Sequence, residues 1–144
     1  MIKIEQSVII HRPVEEVWQF MSNVENVIKW DRGVLQARQT SEGPLGVGST
    51  LQTVRQFFAR RRTGSYLVTE YEPNRKITLK ATLGPMTGQV RYSVEPAGAG
   101  TRLACSAELG EIVGLYKLLA PILVRMLKRD GEADLANVKR IMEA

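Results

Sequence analysis

Three successive stretches in the second half of the chain alternate apolar and polar residues so regularly that they dictate a sheet with one dry face. Ile77, Leu79, Ala81 and Leu83 share one side of the first. Val90, Tyr92 and Val94 do so in the second, and Leu103, Cys105, Ala107 and Leu109 in the third. The intervening residues are mostly polar: Thr78, Lys80 and Thr82, then Gln89, Arg91 and Ser93, then Arg102, Ser106 and Glu108. A period of two is the mark of a strand, and a one-sided pattern marks an antiparallel sheet with water on one face only. The other face requires a cover.

Further strands are read upstream. Ile2 to Ile10 is rich in isoleucine and valine, and VLQARQT, TLQTVRQFFAR and SYLVTEYE follow with turn signals between them. That makes seven strands whose short links imply antiparallel hairpins. Between the first and second lies HRPVEEVWQFMSN, where Pro13, Glu15 and Glu16 suit the start of a helix. Ser22-Asn23 then caps a second short helix, VENVIKW. The last element is a long helix. The expected fold class is α+β: a seven-stranded antiparallel sheet that curls around one long C-terminal helix, with two short helices between strands one and two. A curled sheet around a single helix need not fill its hollow, so the arrangement implies a cavity.

Composition narrows the function classes. The chain has 144 residues, 44% apolar and 24% charged, as in one globular domain spanning 1–144. No stretch is apolar for long enough to span a bilayer, and MIKIEQSVII is not a signal peptide, so a cytoplasmic protein is expected. One cysteine, Cys105, excludes an internal disulfide and sits in a strand pattern that suggests an inert thiol. One histidine, His11, and that cysteine leave out the usual zinc sets, and no metal or cofactor is expected. The net charge of +5 is spread along the chain, apart from Arg60-Arg61-Arg62, read as a solvated loop tip. Basic residues interleaved with aromatics are missing, which argues against a nucleic-acid partner.

Several local strings carry a resemblance. HRPVEEVWQFM after the first strand, the later Trp30, GVGST before the third strand, VTEYEPNRKITL, GAGTRL and LLAPIL together resemble the START-like or SRPBCC superfamily, in particular its polyketide cyclase/dehydrase-like branch. The resemblance covers essentially the whole chain and implies the helix-grip fold. It also implies a deep pocket for an apolar or aromatic ligand between sheet and helix.

Within that frame, a tight turn at Arg61 to Gly64 would pair Arg55 with Glu70 and Phe57 with Val68. If their face is the concave one, a charge pair lies in an apolar hollow, where it could orient a ligand or let Glu70 serve as a general base. A one-residue slip would instead turn Gln52, Val54, Gln56 and Phe58 inward. Tyr92 lies on an apolar strand face, Trp30 closes the second short helix as gate or core, and Trp18 reads as core. Asp31 and Arg32 read as a solvated turn. The ligand-contacting set is therefore Trp30, Arg55, Phe57, Val68, Glu70, Leu79, Tyr92, Leu119 and Leu123.

The final helix poses its own question. Leu127, Gly131, Leu135, Val138 and Met142 make one apolar stripe, continued upstream by Tyr116, Leu119, Ala120 and Leu123. In the first half a second stripe, Leu115, Leu118, Ile122 and Met126, runs beside it, and Pro121 either kinks the helix or starts a new segment. The second stripe must meet protein, a ligand, another subunit or a membrane; a homodimer is one solution. The function expected is binding, transport or sequestration of a small hydrophobic or aromatic molecule. The alternatives are a polyketide aromatase/cyclase or dehydratase-like enzyme, and a protein-interaction or toxin-like module.

Overall fold

A computed structural model describes residues 2–57, 59–84, 86–110 and 114–144. The element order is β1 (Ile2–Ile10), α1 (Val14–Ser22), a 3-10 turn (Val24–Asn26), α2 (Val27–Trp30), β2 (Val34–Gln39), β3 (Thr50–Phe57), β4 (Arg60–Glu72), β5 (Lys76–Leu83), β6 (Met86–Ala97), β7 (Gly100–Leu109), α3 (Leu115–Leu118) and α4 (Ala120–Glu143). The seven strands form one antiparallel sheet in the order β1-β7-β6-β5-β4-β3-β2. This is the helix-grip arrangement: every link from β2 to β7 is a hairpin, and β1 closes the far edge on β7.

The dry face is the one the alternation marks. Ile77, Leu79, Val94 and Leu103 are buried there, and Trp18 from α1 with Leu135 and Val138 from α4 complete the core. Trp18 packs at 5.7 Å on Tyr71, in the core as its helix pattern suggests. Asn23 starts the 3-10 turn by accepting the Glu25 N–H at 3.1 Å, a local cap of the expected kind. Helix α4 packs on β1 with Gly131 against the Gln6 amide, which donates to the Lys128 carbonyl at 2.7 Å and lies where a Cβ would stand. Further along, Asn137 is buried and donates to the Trp30 carbonyl at 3.2 Å, joining α4 to α2.

Two features depart from the sequence expectation, and one physical cause lies behind each. The β3–β4 hairpin turns between Phe57 and Arg60, with Ala59 at φ 61°, so Arg55 faces Arg62 and not Glu70. Arg60, Arg61 and Arg62 therefore belong to the start of β4, not to a loop tip. The second departure is a bulge. Val68 pairs with Leu79, yet Glu70 pairs with Thr78, which leaves Thr69 as the extra residue. Backbone bonds of 2.9 Å from Val68 to Ser49 and from Gly48 to Val68 hold the strand where the bulge forms. The extra residue reverses the alternation. Val68 is buried on the concave side, whereas Glu70 emerges on the outer face.

Pro121 does not kink a continuous helix. It occupies the first turn of α4, where its missing N–H costs nothing, and the chain breaks at Leu119 with φ −93° and ψ 2°. Of the second stripe, Leu118 and Ile122 are exposed and Met126 is half-buried; the side chain of Leu115, like that of Tyr116 on the first stripe, lies outside the described residues. No helix among the described residues is long and apolar enough to cross a membrane.

Candidate functional site

Between the concave face of the sheet, α2 and the middle of α4 lies a cavity of about 690 Å³. That volume is typical of pockets that enclose a small organic molecule. Its walls are mainly apolar: Met21 and Val27 from the helices, Leu51, Leu79, Val90 and Ala107 from the strands, and Leu127 from α4. Leu51, Thr53 and Arg55 line the cavity from β3, so of the two faces that the alternation left open theirs is the concave one.

One group of polar side chains on the wall comes from β3, the end of α2 and α4. Arg55 reaches across to Asp31, whose carboxylate accepts its guanidinium at 2.7 Å and the Gly33 N–H at 3.1 Å. Asp31 is 8% exposed, so it is a buried counter-ion and not part of a solvated turn. Burial works against the Arg55 charge, but the Asp31 carboxylate outweighs it and holds the guanidinium more firmly protonated than a free arginine. Thr53 donates to the Tyr66 hydroxyl at 3.2 Å on the same face. Trp30 meets Tyr92 edge-on at 5.9 Å, and its indole N–H is buried with no acceptor among the described residues.

The second acid of the site is Asp134 on α4. It accepts the Arg32 N–H at 3.4 Å and lines the cavity. Burial, with Asp31 nearby, pushes its carboxyl up to about 7. Burial likewise pushes the Tyr92 hydroxyl well above its ordinary value and the Cys105 thiol up to about 11. The cavity wall therefore carries the buried Arg55–Asp31 ion pair and a carboxyl that keeps its proton near neutrality.

Of the residues singled out from the sequence, Trp30, Arg55, Leu79 and Tyr92 come together on the cavity wall. Val68 is buried in the core, with 1% of its surface exposed, and does not line the cavity. Leu119 is exposed and Leu123 is buried away from the cavity, because the wall of α4 begins only at Leu127. The side chain of Phe57 lies outside the described residues. Glu70 stands on the outer face. There Thr78 and Arg91 donate to it at 2.8 and 2.6 Å with Lys76 at 3.3 Å, and these bonds hold its carboxyl down at about 2. A base in the cavity cannot be Glu70.

Asp31 and Asp134 are acids of the cavity wall that sequence reasoning missed. Asp134 had a readable signal: at Gly131 plus three and Val138 minus four, it is an acid on the apolar face of α4. Asp31 had none, since only the fold brings Arg55 over it. Among the described residues, no group of three or more His, Cys, Asp or Glu is placed to hold a metal ion.

Residues 1–143 match the family model described as polyketide cyclase / dehydrase and lipid transport. The chain belongs to this family. No curated protein matches the sequence. Among solved structures, the Zhui aromatase/cyclase from Streptomyces sp. R1128 has a TM-score of 0.84 at 16% identity, over 99% of this chain and 93% of that one. A START superfamily protein from Mycobacterium smegmatis has a TM-score of 0.76 at 14% identity, over 96% and 98%. DynU16, from the dynemicin biosynthetic locus, has a TM-score of 0.74 at 19% identity; the match covers 99% of this chain but 47% of DynU16. At such identities the likeness is one of fold, and the START-like architecture of this family member is common to all of them.

Proposed function

We propose that the protein binds a small, largely apolar or aromatic molecule in the cavity and carries or sequesters it. The observation that supports this reading is the cavity itself: about 690 Å³ of mostly apolar space with the Asp31–Arg55 pair, Tyr92 and Asp134 on its wall. Burial of the ligand's rings supplies affinity at roughly 25 cal/mol per Å² of apolar surface, while Arg55, Tyr92 and Asp134 orient its polar end. The description of the family, which includes lipid transport, agrees with it. The test is native mass spectrometry of freshly purified protein, alongside titration with the neutral fluorophore N-phenyl-1-naphthylamine. A co-purified small molecule, or saturable fluorophore binding that Ala107→Phe abolishes without unfolding the chain, is expected. Absence of both would sink the reading.

A second reading, a cyclase- or dehydratase-like enzyme, has one observation in its favour. Asp134 keeps a proton near neutral pH inside the cavity, as a general acid requires. Glu70, the acid that the sequence suggested, has no part in it. Incubation of the purified protein with a poly-ketone substrate and mass analysis of the product separates the two readings: a carrier returns its ligand unchanged.

A further inference from the structure

The junction of α3 and α4 leaves apolar surface in water. Leu118 is 80% exposed there, Ile122 61% and Leu119 40%. Of the seven large apolar side chains that are exposed among the described residues, these three fall between positions 118 and 122. Leu118 ends α3, Ile122 stands in the first turn of α4, and the exposed Pro121 lies between them. The segment is anchored on its inner side. Leu123 is fully buried, and its N–H donates to the Leu119 carbonyl at 2.8 Å. A contiguous exposed apolar patch marks a surface with a partner.

The charge around the patch selects that partner. From Gly114 to Arg129 the sequence carries Lys117, Arg125, Lys128 and Arg129 and no acid; Glu111 and Asp130 are the nearest on either side. All four cations are exposed. Among the described residues, Lys117, Arg125 and Lys128 have no acid within ion-pair distance. Arg129 has Asp130 at 3.8 Å, an exposed pair and a weak one. Within α4, Ile122, Arg125 and Arg129 recur at i, i+3 and i+7, so cations continue the face that Ile122 opens. A second copy seated on this patch about a twofold axis would set these cations against the same cations, with no acid between them to relieve the repulsion. A nucleic acid would use the cations and leave the leucines and isoleucine in water. An anionic bilayer uses both: apolar side chains enter the boundary between headgroups and acyl chains, while lysine and arginine lay their stems along it and keep their charges at the phosphates.

We propose that the α3–α4 junction docks the protein reversibly on a membrane surface rich in anionic lipid. The contact is peripheral, since a few apolar side chains and a few cations are each a weak signal and hold a protein on a membrane only together. The wall of the cavity begins on the same helix at Leu127, so a docked bilayer lies beside it. The docking itself does not depend on what the cavity holds.

Co-sedimentation of the full chain with vesicles tests it, using phosphatidylcholine alone and phosphatidylcholine with roughly one third phosphatidylserine. Affinity for the mixed vesicles is expected to be roughly tenfold or more higher, and to collapse at about 0.5 M salt. Because the whole chain is basic, the decisive variant keeps every charge: Leu118→Ser with Ile122→Ser, both at exposed positions, is expected to lose several-fold in affinity for the mixed vesicles. Arg125→Gln should also lose several-fold, whereas Lys80→Gln, on the outer face of the sheet, should lose nothing. Failure to sediment with the mixed vesicles would overturn the proposal. So would full binding by the double serine variant, which would leave only the diffuse charge of the chain at work. A dimer in light scattering that Ile122→Ser alone splits into monomers would assign the patch to a second copy instead.

Discussion

Arg55 on β3 and Asp31 at the end of α2 form an ion pair of 2.7 Å that ties the sheet to the helix carrying Trp30. Asp31 was the less conspicuous partner, yet it is the more buried of the two: the side chains are 10% and 24% exposed. The pair sits on the cavity wall, so it bears on both the local stability and the charge that a ligand encounters.

Breaking one side of this pair leaves a poorly solvated charge. Arg55→Met and Asp31→Asn are each expected to cost roughly 2–3 kcal/mol in urea denaturation, below the upper range for fully buried pairs because Arg55 keeps some water. The double variant should cost less than the sum, since neither charge then remains alone. Strict additivity would mean that the two side chains do not depend on one another.

Asp134 makes stability depend on pH in the direction opposite to an ordinary salt-bridged acid. Its folded-state carboxyl titrates at about 7, above the usual 3.8, so between these values the folded chain holds a proton that the unfolded chain has released. Its contribution therefore declines as pH rises from about 4 to 7 and stays low above that. Asp134→Asn should raise the melting temperature at pH 8, by the equivalent of roughly 1–2 kcal/mol after allowance for partial solvent screening, and should leave it unchanged near pH 4. Parallel wild-type and variant curves across that range would refute this.

Glu70 has the opposite sign. Its carboxyl is held at about 2 by Thr78, Arg91 and Lys76, below the usual 4.5. The stabilisation is present above about pH 4.5 and is lost as pH falls toward 2. Glu70→Gln is expected to remove this acid-limb sensitivity in pH-dependent melting and to leave cavity binding of N-phenyl-1-naphthylamine unaltered. A loss of binding would contradict its place on the outer face.

Cys105 lines the cavity, but its thiol is pushed up to about 11 by burial. Only the thiolate reacts with iodoacetamide. Alkylation of the native protein at pH 8 should thus be much slower than that of the urea-unfolded chain, accelerate as pH approaches 11, and slow further with ligand in the cavity. Rapid native alkylation at pH 8 would count against this environment.

Much of the fold was legible because it rests on local periodicity. The alternation through Ile77–Leu83, Val90–Val94 and Leu103–Leu109 marks three strands and their dry face, and Pro13 with Asn23 punctuates the short helices. The site was legible only in part. Trp30, Arg55, Leu79 and Tyr92 lie on the cavity wall, but the partner assigned to Arg55 was the wrong acid. A tight turn at Arg61–Gly64 was plausible from composition, whereas the chain turns at Ala59 in a left-handed conformation that alanine seldom adopts.

The sequence by itself determined the antiparallel sheet, its buried face and the need for a helix to cover it, because apolar residues at a period of two have one way to leave water. Tertiary structure alone decided which charges enter the cavity. The Thr69 bulge adds one residue to β4, which sends Glu70 outward while Val68 stays in. The placing of α2 on β2 and of α4 on β1 and α2 brings Asp31 onto Arg55 and Asp134 to the same cavity wall, from positions 24 residues before Arg55 and 79 after it. A single extra residue reverses a strand face, and a convergence of distant side chains has no local period to betray it.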